Sequence, residues 1–88
     1  MQIAFDPSKD AINLAKHGLS LADALNFDFD AAQTEIDARA DYGETRYRAF
    51  ARMDGVGFCL VFTISGETLR PISYRRAHEK EMRRYEQG

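Results

Sequence analysis

A chain of 88 residues and 10.0 kDa has room for one domain, spanning 1–88. Charged residues make up 30% and mean hydropathy is −0.47, while no apolar run nears the roughly 20 residues that a membrane span needs. A soluble protein with no membrane association and no signal peptide at its Met-Gln-Ile-Ala-Phe-Asp opening is expected.

Residues 2–6 alternate Ile3 and Phe5 on one face, a short first strand. Asp6-Pro7 reads as N-cap and first helical position, where proline's missing donor costs nothing. The helix covers about 8–17, with Ala11, Leu14 and Ala15 on its apolar side, and ends at Lys16-His17-Gly18. A second helix over about 20–27 opens on Ser20, with Asp23 three residues on, and groups Leu21, Ala24, Leu25 and Asp28. The two form an α-hairpin about Gly18.

From residue 33 the period changes to two. Thr34, Ile36 and Ala38 alternate with polar residues in a weak, exposed strand, and 41–44 is a turn. In 45–53, Tyr47, Ala49, Ala51 and Met53 take one face, while Arg46, Arg48, Phe50 and Arg52 take the other. Asp54-Gly55 signals a hairpin into the almost wholly apolar run 57–64, the central buried strand. Cys59 lies within it, so a buried, inert thiol is expected. After Ser65-Gly66 the strand 68–74 returns, with Pro71 putting it at an edge or a bulge. Residues 76–86 form a helix whose contact side holds Ala77, His78, Met82 and Tyr85. The order β-α-α-β-β-β-β-α gives an α+β fold: two N-terminal helices, an antiparallel sheet of four to five strands and a C-terminal helix.

One cysteine excludes an intrachain disulfide and a cysteine-based zinc site, and His17 and His78 alone make no metal centre. No metal or cofactor is expected, and the setting is a reducing cytoplasm. Phosphate-loop, dinucleotide and nucleophile-elbow patterns are absent.

The net charge of −2 hides an asymmetry. Residues 1–44 hold three bases against nine acids (net −6), and residues 45–88 hold nine bases against five acids (net +4). Eight of those nine bases are arginine, whose planar fork binds phosphate or carboxylate at two points. Arg46, Arg48 and Arg52 flank Phe50 on one strand face, the next strand adds Arg70, and the last junction adds Arg75 and Arg76. Arginines interleaved with an aromatic can hold phosphates while a base stacks, as single-stranded RNA requires. Metal-free RNA cleavage needs a base, an acid and cations around a positioned 2′-hydroxyl. The same residues also suit a solvated sheet face paired with the acidic half of the chain.

Phe5-Asp6-x-x-Lys9-x-x-x-Asn13-x-x-Lys16-His17-Gly18 opens a series of blocks that continues with Phe27-Asp28-x-Asp30 and Gly43-Glu44-x-Arg46. It closes with Ile72-Ser73-Tyr74-Arg75-Arg76-Ala77-x-Glu79 leading to Tyr85. In this order and spacing the blocks, over residues 5 to 85, resemble the BrnT family of toxins from type II toxin–antitoxin operons. The resemblance implies a RelE-like fold and a ribonuclease that stops translation. It also implies neutralisation by a BrnA-like antitoxin with a ribbon-helix-helix domain, in a heterotetramer of two toxins and two antitoxins that reaches operator DNA through the antitoxin alone.

Carried over residue by residue, the resemblance implies active positions at Lys9, His17, Glu44, Arg46 and Arg75, with Asp6 a further candidate. Arg48, Phe50, Arg52, Arg70 and Arg76 are the expected RNA contacts. The chain departs from the family at Phe5, where tryptophan is common, at Pro71, which breaks an apolar pair, and at Tyr74, which replaces a smaller residue. Tyr74 either adds a stacking surface or crowds the site.

Each candidate also has a structural explanation. His17 suits a helix C-terminus, Asp6 is a cap, and Glu44 is a turn carboxylate that pairs with Arg46. Lys9 in a first helical turn opposes the dipole, which argues for a phosphate contact. Arg83 and Arg84 are surface or antitoxin contacts, and Asn13 makes a structural hydrogen bond. A non-catalytic module that binds RNA or an acidic protein through its arginine face is the alternative to a nuclease.

Overall fold

The computed structural model describes residues 1–87; Gly88, the last residue of the expected domain, lies outside them. In chain order come β1 (Gln2–Ile3), α1 (Pro7–His17), a 3-10 helix (Leu21–Asn26), β2 (Gln33–Ile36), β3 (Tyr47–Met53), β4 (Val56–Ser65), β5 (Thr68–Arg76) and α2 (Glu79–Gln87). The five strands form one sheet in the order β1-β5-β4-β3-β2. This is an α+β fold with a C-terminal helix, and β4 is its central strand, as its apolar run requires. The sheet is mixed: β2 to β5 pair antiparallel, but β1 runs parallel to β5. A parallel neighbour requires a long crossover, and here the rest of the fold supplies it.

The first helix forms where its caps dictate. Asp6 accepts a hydrogen bond from the Ser8 N–H at 2.8 Å, Pro7 opens the helix, and Gly18 closes it at φ 72°. Its expected apolar side is a correction. Ala11, Leu14 and Ala15 face solvent, and the buried residue is Asn13.

The second N-terminal helix is a 3-10 helix, not an α-helix, and its buried residues explain why. Leu21 and Ala24, with Phe27 after them, recur every three residues, the repeat at which 3-10 side chains align. Leu25 and Asp28, expected on the same side, are exposed. Asp10 ties this turn to α1 by accepting from the Ser20 hydroxyl and the Leu21 N–H.

The core lies on one face of the sheet. Ala49 and Ala51 of β3, Leu60 and Phe62 of β4, and Leu69 and Tyr74 of β5 pack against Leu21, Ala24 and Phe27. Tyr74 is 2% exposed and sits edge-on to Phe27, so it neither stacks at the site nor crowds it. The small alanines of β3 leave space for these aromatic rings.

A second, smaller core forms on the opposite face, where α2 lays Met82 on Phe50, Cys59 and Val61. Gly57 makes this approach close: a Cβ there would sit 2.3 Å from Met82 Cγ. Ala77, Met82 and Tyr85 pack as the sequence suggests, but His78 is exposed. Pro71 belongs to the bulge alternative, because the β4–β5 register shifts beside it, between Val61 and Phe62.

Candidate active site

Alternation along β3 sends Arg46, Arg48, Phe50 and Arg52 to the α2 side of the sheet, and pairing in register carries Arg70 and Arg75 of β5 to that same side. Five of the six arginines expected together thus share one face, while Arg76, paired with Phe58 of the main core, falls on the other. Each of these five arginines pairs with a carboxylate, and the choice of partner divides them into two groups.

The first group fastens α2 and β2. Arg52 bonds Glu79 and Glu86, and Arg75 holds Glu81 through two hydrogen bonds of 2.9 and 3.0 Å. Arg48 bonds Glu35 on β2 and the Tyr85 hydroxyl. The Arg75 guanidinium and the His78 N–H hold the Glu81 carboxyl down to about 2 against burial, which works the other way. Phe50 is 1% exposed beneath Tyr85, ring on ring at 4.0 Å. With α2 seated, Phe50 has no free face for a base. Cys59 lies in the same layer, and burial pushes its thiol up to about 11, an inert group.

The second group is open. Glu44, just before β3, accepts from Arg46 Nε at 3.3 Å and from Arg70 at 3.2 Å, so one carboxylate bridges two arginines. From there three adjoining hollows form a groove over the end of the sheet. Glu44, Thr63 and Arg70 line one of about 530 Å³. Asp6, Lys9, Arg70 and Ile72 line the next, of about 330 Å³. Lys9, Asn13, Lys16, His17, Arg46 and Ser73 line the third, of about 350 Å³.

Three of the five expected active positions, Lys9, His17 and Arg46, thus share one hollow, and Glu44 bonds Arg46 at its edge. The fifth, Arg75, is close enough for its charge to act on His17. Burial first, and then the charges of Lys16 and Arg75, lower the His17 pKa below its ordinary 6.5. The imidazole is therefore neutral at pH 7 and able to take a proton. Asp6 lines the groove while also capping α1. Of the expected RNA contacts, Arg70 is in the groove, Arg48, Phe50 and Arg52 are in the layer under α2, and Arg76 is exposed at the end of β5.

α1 can carry Lys9 and His17 to this groove because Asn13, between them, is bonded to the sheet. Its side chain accepts from the Tyr74 N–H and donates to the carbonyls of Tyr74 and Leu19. Lys9, Asn13 and His17 are spaced four residues apart, one helical stripe, so fixing the middle one aims the other two.

A family model for the ribonuclease toxin BrnT of type II toxin–antitoxin systems matches residues 5–81. The chain belongs to the BrnT family. A crystal structure of the Brucella abortus ribonuclease toxin BrnT superposes with a TM-score of 0.70 at 33% identity, covering 90% of this chain and 99% of that one. No curated protein matches.

Type II membership implies an antitoxin partner for this BrnT chain. Among the described residues, no helix is long and apolar enough to cross a membrane, and no group of three or more His, Cys, Asp or Glu side chains is placed to hold a metal ion.

Reading the sequence missed the support beneath Arg46 in this BrnT protein. Asp37, expected on an exposed strand, is 4% exposed and takes two 2.7 Å hydrogen bonds from Arg39. Those bonds hold its carboxyl down to about 2. Its own N–H donates to the Arg46 carbonyl, and the Tyr42 ring lies 4.1 Å from the Arg46 guanidinium. The signal available was an aspartate two residues from an arginine, at the end of a strand too short to bury anything else.

Proposed function

We propose that this protein is the toxin of a type II pair and cleaves RNA without a metal, using the groove bounded by α1, β3 and β5. The observation that carries this reading is the shared hollow of Lys9, His17 and Arg46. There a neutral imidazole lies beside cations that can neutralise a phosphorane. His17 takes the proton of the 2′-hydroxyl, whose oxygen bonds to phosphorus as the bond from phosphorus to the 5′-oxygen breaks. Lys9 returns a proton to the departing 5′-oxygen. The ends are a 2′,3′-cyclic phosphate and a 5′-hydroxyl.

Arg46 and Arg70 hold the phosphates at a spacing set by Glu44, while Arg75, tied to Glu81, contributes only its charge beside His17. Arg70 is 51% exposed, and an ion pair of that exposure is weak enough for a phosphate to compete for the guanidinium. Arg48, Phe50 and Arg52 keep α2 in place, and Arg76, expected as an RNA contact, pairs with Phe58 on the opposite face of the sheet and has no part in the groove. The fold on this reading is RelE-like, one toxin domain in the cytoplasm. Its partner is a BrnA-like ribbon-helix-helix antitoxin in a heterotetramer of two toxins and two antitoxins, which reaches operator DNA through the antitoxin.

The test is purified toxin with RNA in EDTA. Fragments ending in cyclic phosphate are expected, and Arg46→Ala should slow their formation by about a hundredfold, the scale of losing one charge-stabilising donor. Intact RNA, or a rate unchanged by Arg46→Ala, overturns the reading. Tight, salt-sensitive RNA binding with no turnover would instead favour the non-catalytic module.

A further inference from the structure

We infer that Tyr42 is a positioning residue for Arg46, its ring setting the direction in which the guanidinium meets the phosphate. This rests on the reading of the groove as the cleavage site.

Arg46 is held at three points. At its backbone, the carbonyl accepts from the Asp37 N–H at 2.8 Å. Along the side chain, Nε donates to Glu44 at 3.3 Å. At its face, the guanidinium carbon stands 4.1 Å from the centroid of the Tyr42 ring. The ring is anchored in turn: its hydroxyl reaches Asp37 Oδ2 at 3.4 Å, and Asp37 is buried and clamped by Arg39. Gly43, at φ 70°, makes the turn that lets Tyr42 and Glu44 reach the same arginine.

Arg48 also lies over rings, those of Phe50 and Tyr85 at 5.6 and 6.0 Å, so what sets Arg46 apart is its terminal nitrogens. Arg48, Arg52 and Arg75 spend terminal nitrogens on carboxylates. Among the described residues, both terminal nitrogens of Arg46 make no hydrogen bond to protein, while the side chain lines the hollow with Lys9 and His17. Stacking on a ring fixes the plane of a guanidinium without consuming its N–H groups, which leaves the outer edge for bidentate contact with a phosphate. Tyr42 is not among the side chains lining that hollow, so its effect passes through Arg46. No new chemistry is implied, only a pre-aimed donor.

Tyr42→Leu, Tyr42→Phe, Arg46→Ala and the double variant Tyr42→Leu/Arg46→Ala test this in single-turnover and steady-state RNA cleavage. Tyr42→Leu should lower kcat on the order of tenfold while KM stays within about threefold, and Tyr42→Phe, which keeps the ring, should stay within about threefold of wild type. In the Arg46→Ala background the leucine should cost nothing further. Equal losses in the leucine and phenylalanine variants, or an undiminished leucine effect without Arg46, would overturn the inference.

NMR relaxation of the arginine Nε–Hε groups, without RNA, separates this claim from the ribonuclease reading. Tyr42→Leu should lower the order of Arg46 and leave Arg52 unchanged. Wild-type protein that leaves RNA intact defeats the ribonuclease reading alone. An Arg46 signal equally ordered in wild type and Tyr42→Leu defeats the positioning role, whatever the activity.

Discussion

Asn13 pairs with Tyr74 as a neighbouring strand would: its Oδ1 accepts the backbone N–H at 3.1 Å and its Nδ2 donates to the backbone carbonyl at 2.8 Å. β1 pairs with β5 only at Thr68 and Leu69, so beyond that point the outer edge of β5 needs another partner. One side-chain amide has the donor and acceptor for the task, and its second N–H reaches the Leu19 carbonyl. Asn13→Ala strands buried backbone groups and should cost about 3 kcal/mol in urea unfolding, several times a surface substitution. Asn13→Asp should do no better, because it loses both donated bonds.

Much of this was legible in the sequence, and the failures share a cause. The two faces of β3, the central run of β4 and the caps at Asp6 and Gly18 follow from alternation, apolarity and local hydrogen bonding, all short-range properties. The apolar side assigned to α1 failed because its docking is polar, made by Asn13 to a strand 61 residues away. Ile12 and Leu14 are left outward, 64% and 44% exposed. The parallel pairing of β1 was equally invisible: the alternation over 2–6 carries no direction, and the strand itself is only Gln2–Ile3. At the site, residue types were readable and partners were not. Nothing in the spacing separates Arg46, aimed into a groove, from Arg52, folded onto α2.

The contact of Gly57 with Met82 gives a handle on α2. A methyl group at residue 57 collides with Met82 Cγ and Sδ, at 2.3 and 2.8 Å. Gly57→Ala should therefore unseat the helix, at a cost of about 1–3 kcal/mol typical of an overpacked core. Hydrogen exchange should quicken in 79–87 and at Phe50, and remain slow in the core beneath the 3-10 helix. Uniform exchange across both layers would show that α2 is not a separate unit.

Acid should loosen the fold through Asp37 and Glu81. Both carboxyls are held near 2 by arginine hydrogen bonds, Arg39 for the first and Arg75 for the second, against ordinary values of 3.8 and 4.5. A carboxyl with a depressed folded value contributes stability that is complete above its unfolded value and disappears as pH falls through the folded one. The contribution of these two carboxyls should be constant from pH 7 to about 5 and then fall between about 4.5 and 2. Asp37→Asn should flatten part of that slope in urea melts taken across the range; an unchanged slope would show that Asp37 does not drive it.

Cleavage should show a different pH dependence, set by His17. Burial, Lys16 and Arg75 all lower its pKa below 6.5, so its basic form is already present at neutral pH. If the imidazole takes the 2′-hydroxyl proton, kcat/KM rises with pH along a limb centred below 6.5 and then levels off. Lys16→Gln removes one of the repelling charges and should move the limb upward, toward 6.5. His17→Gln should abolish the limb and lower the plateau by about a hundredfold or more, the scale of a lost general base. The same limb surviving in His17→Gln would assign the proton transfer elsewhere, with Glu44, already bonded to Arg46 and Arg70, the next group to test by Glu44→Gln.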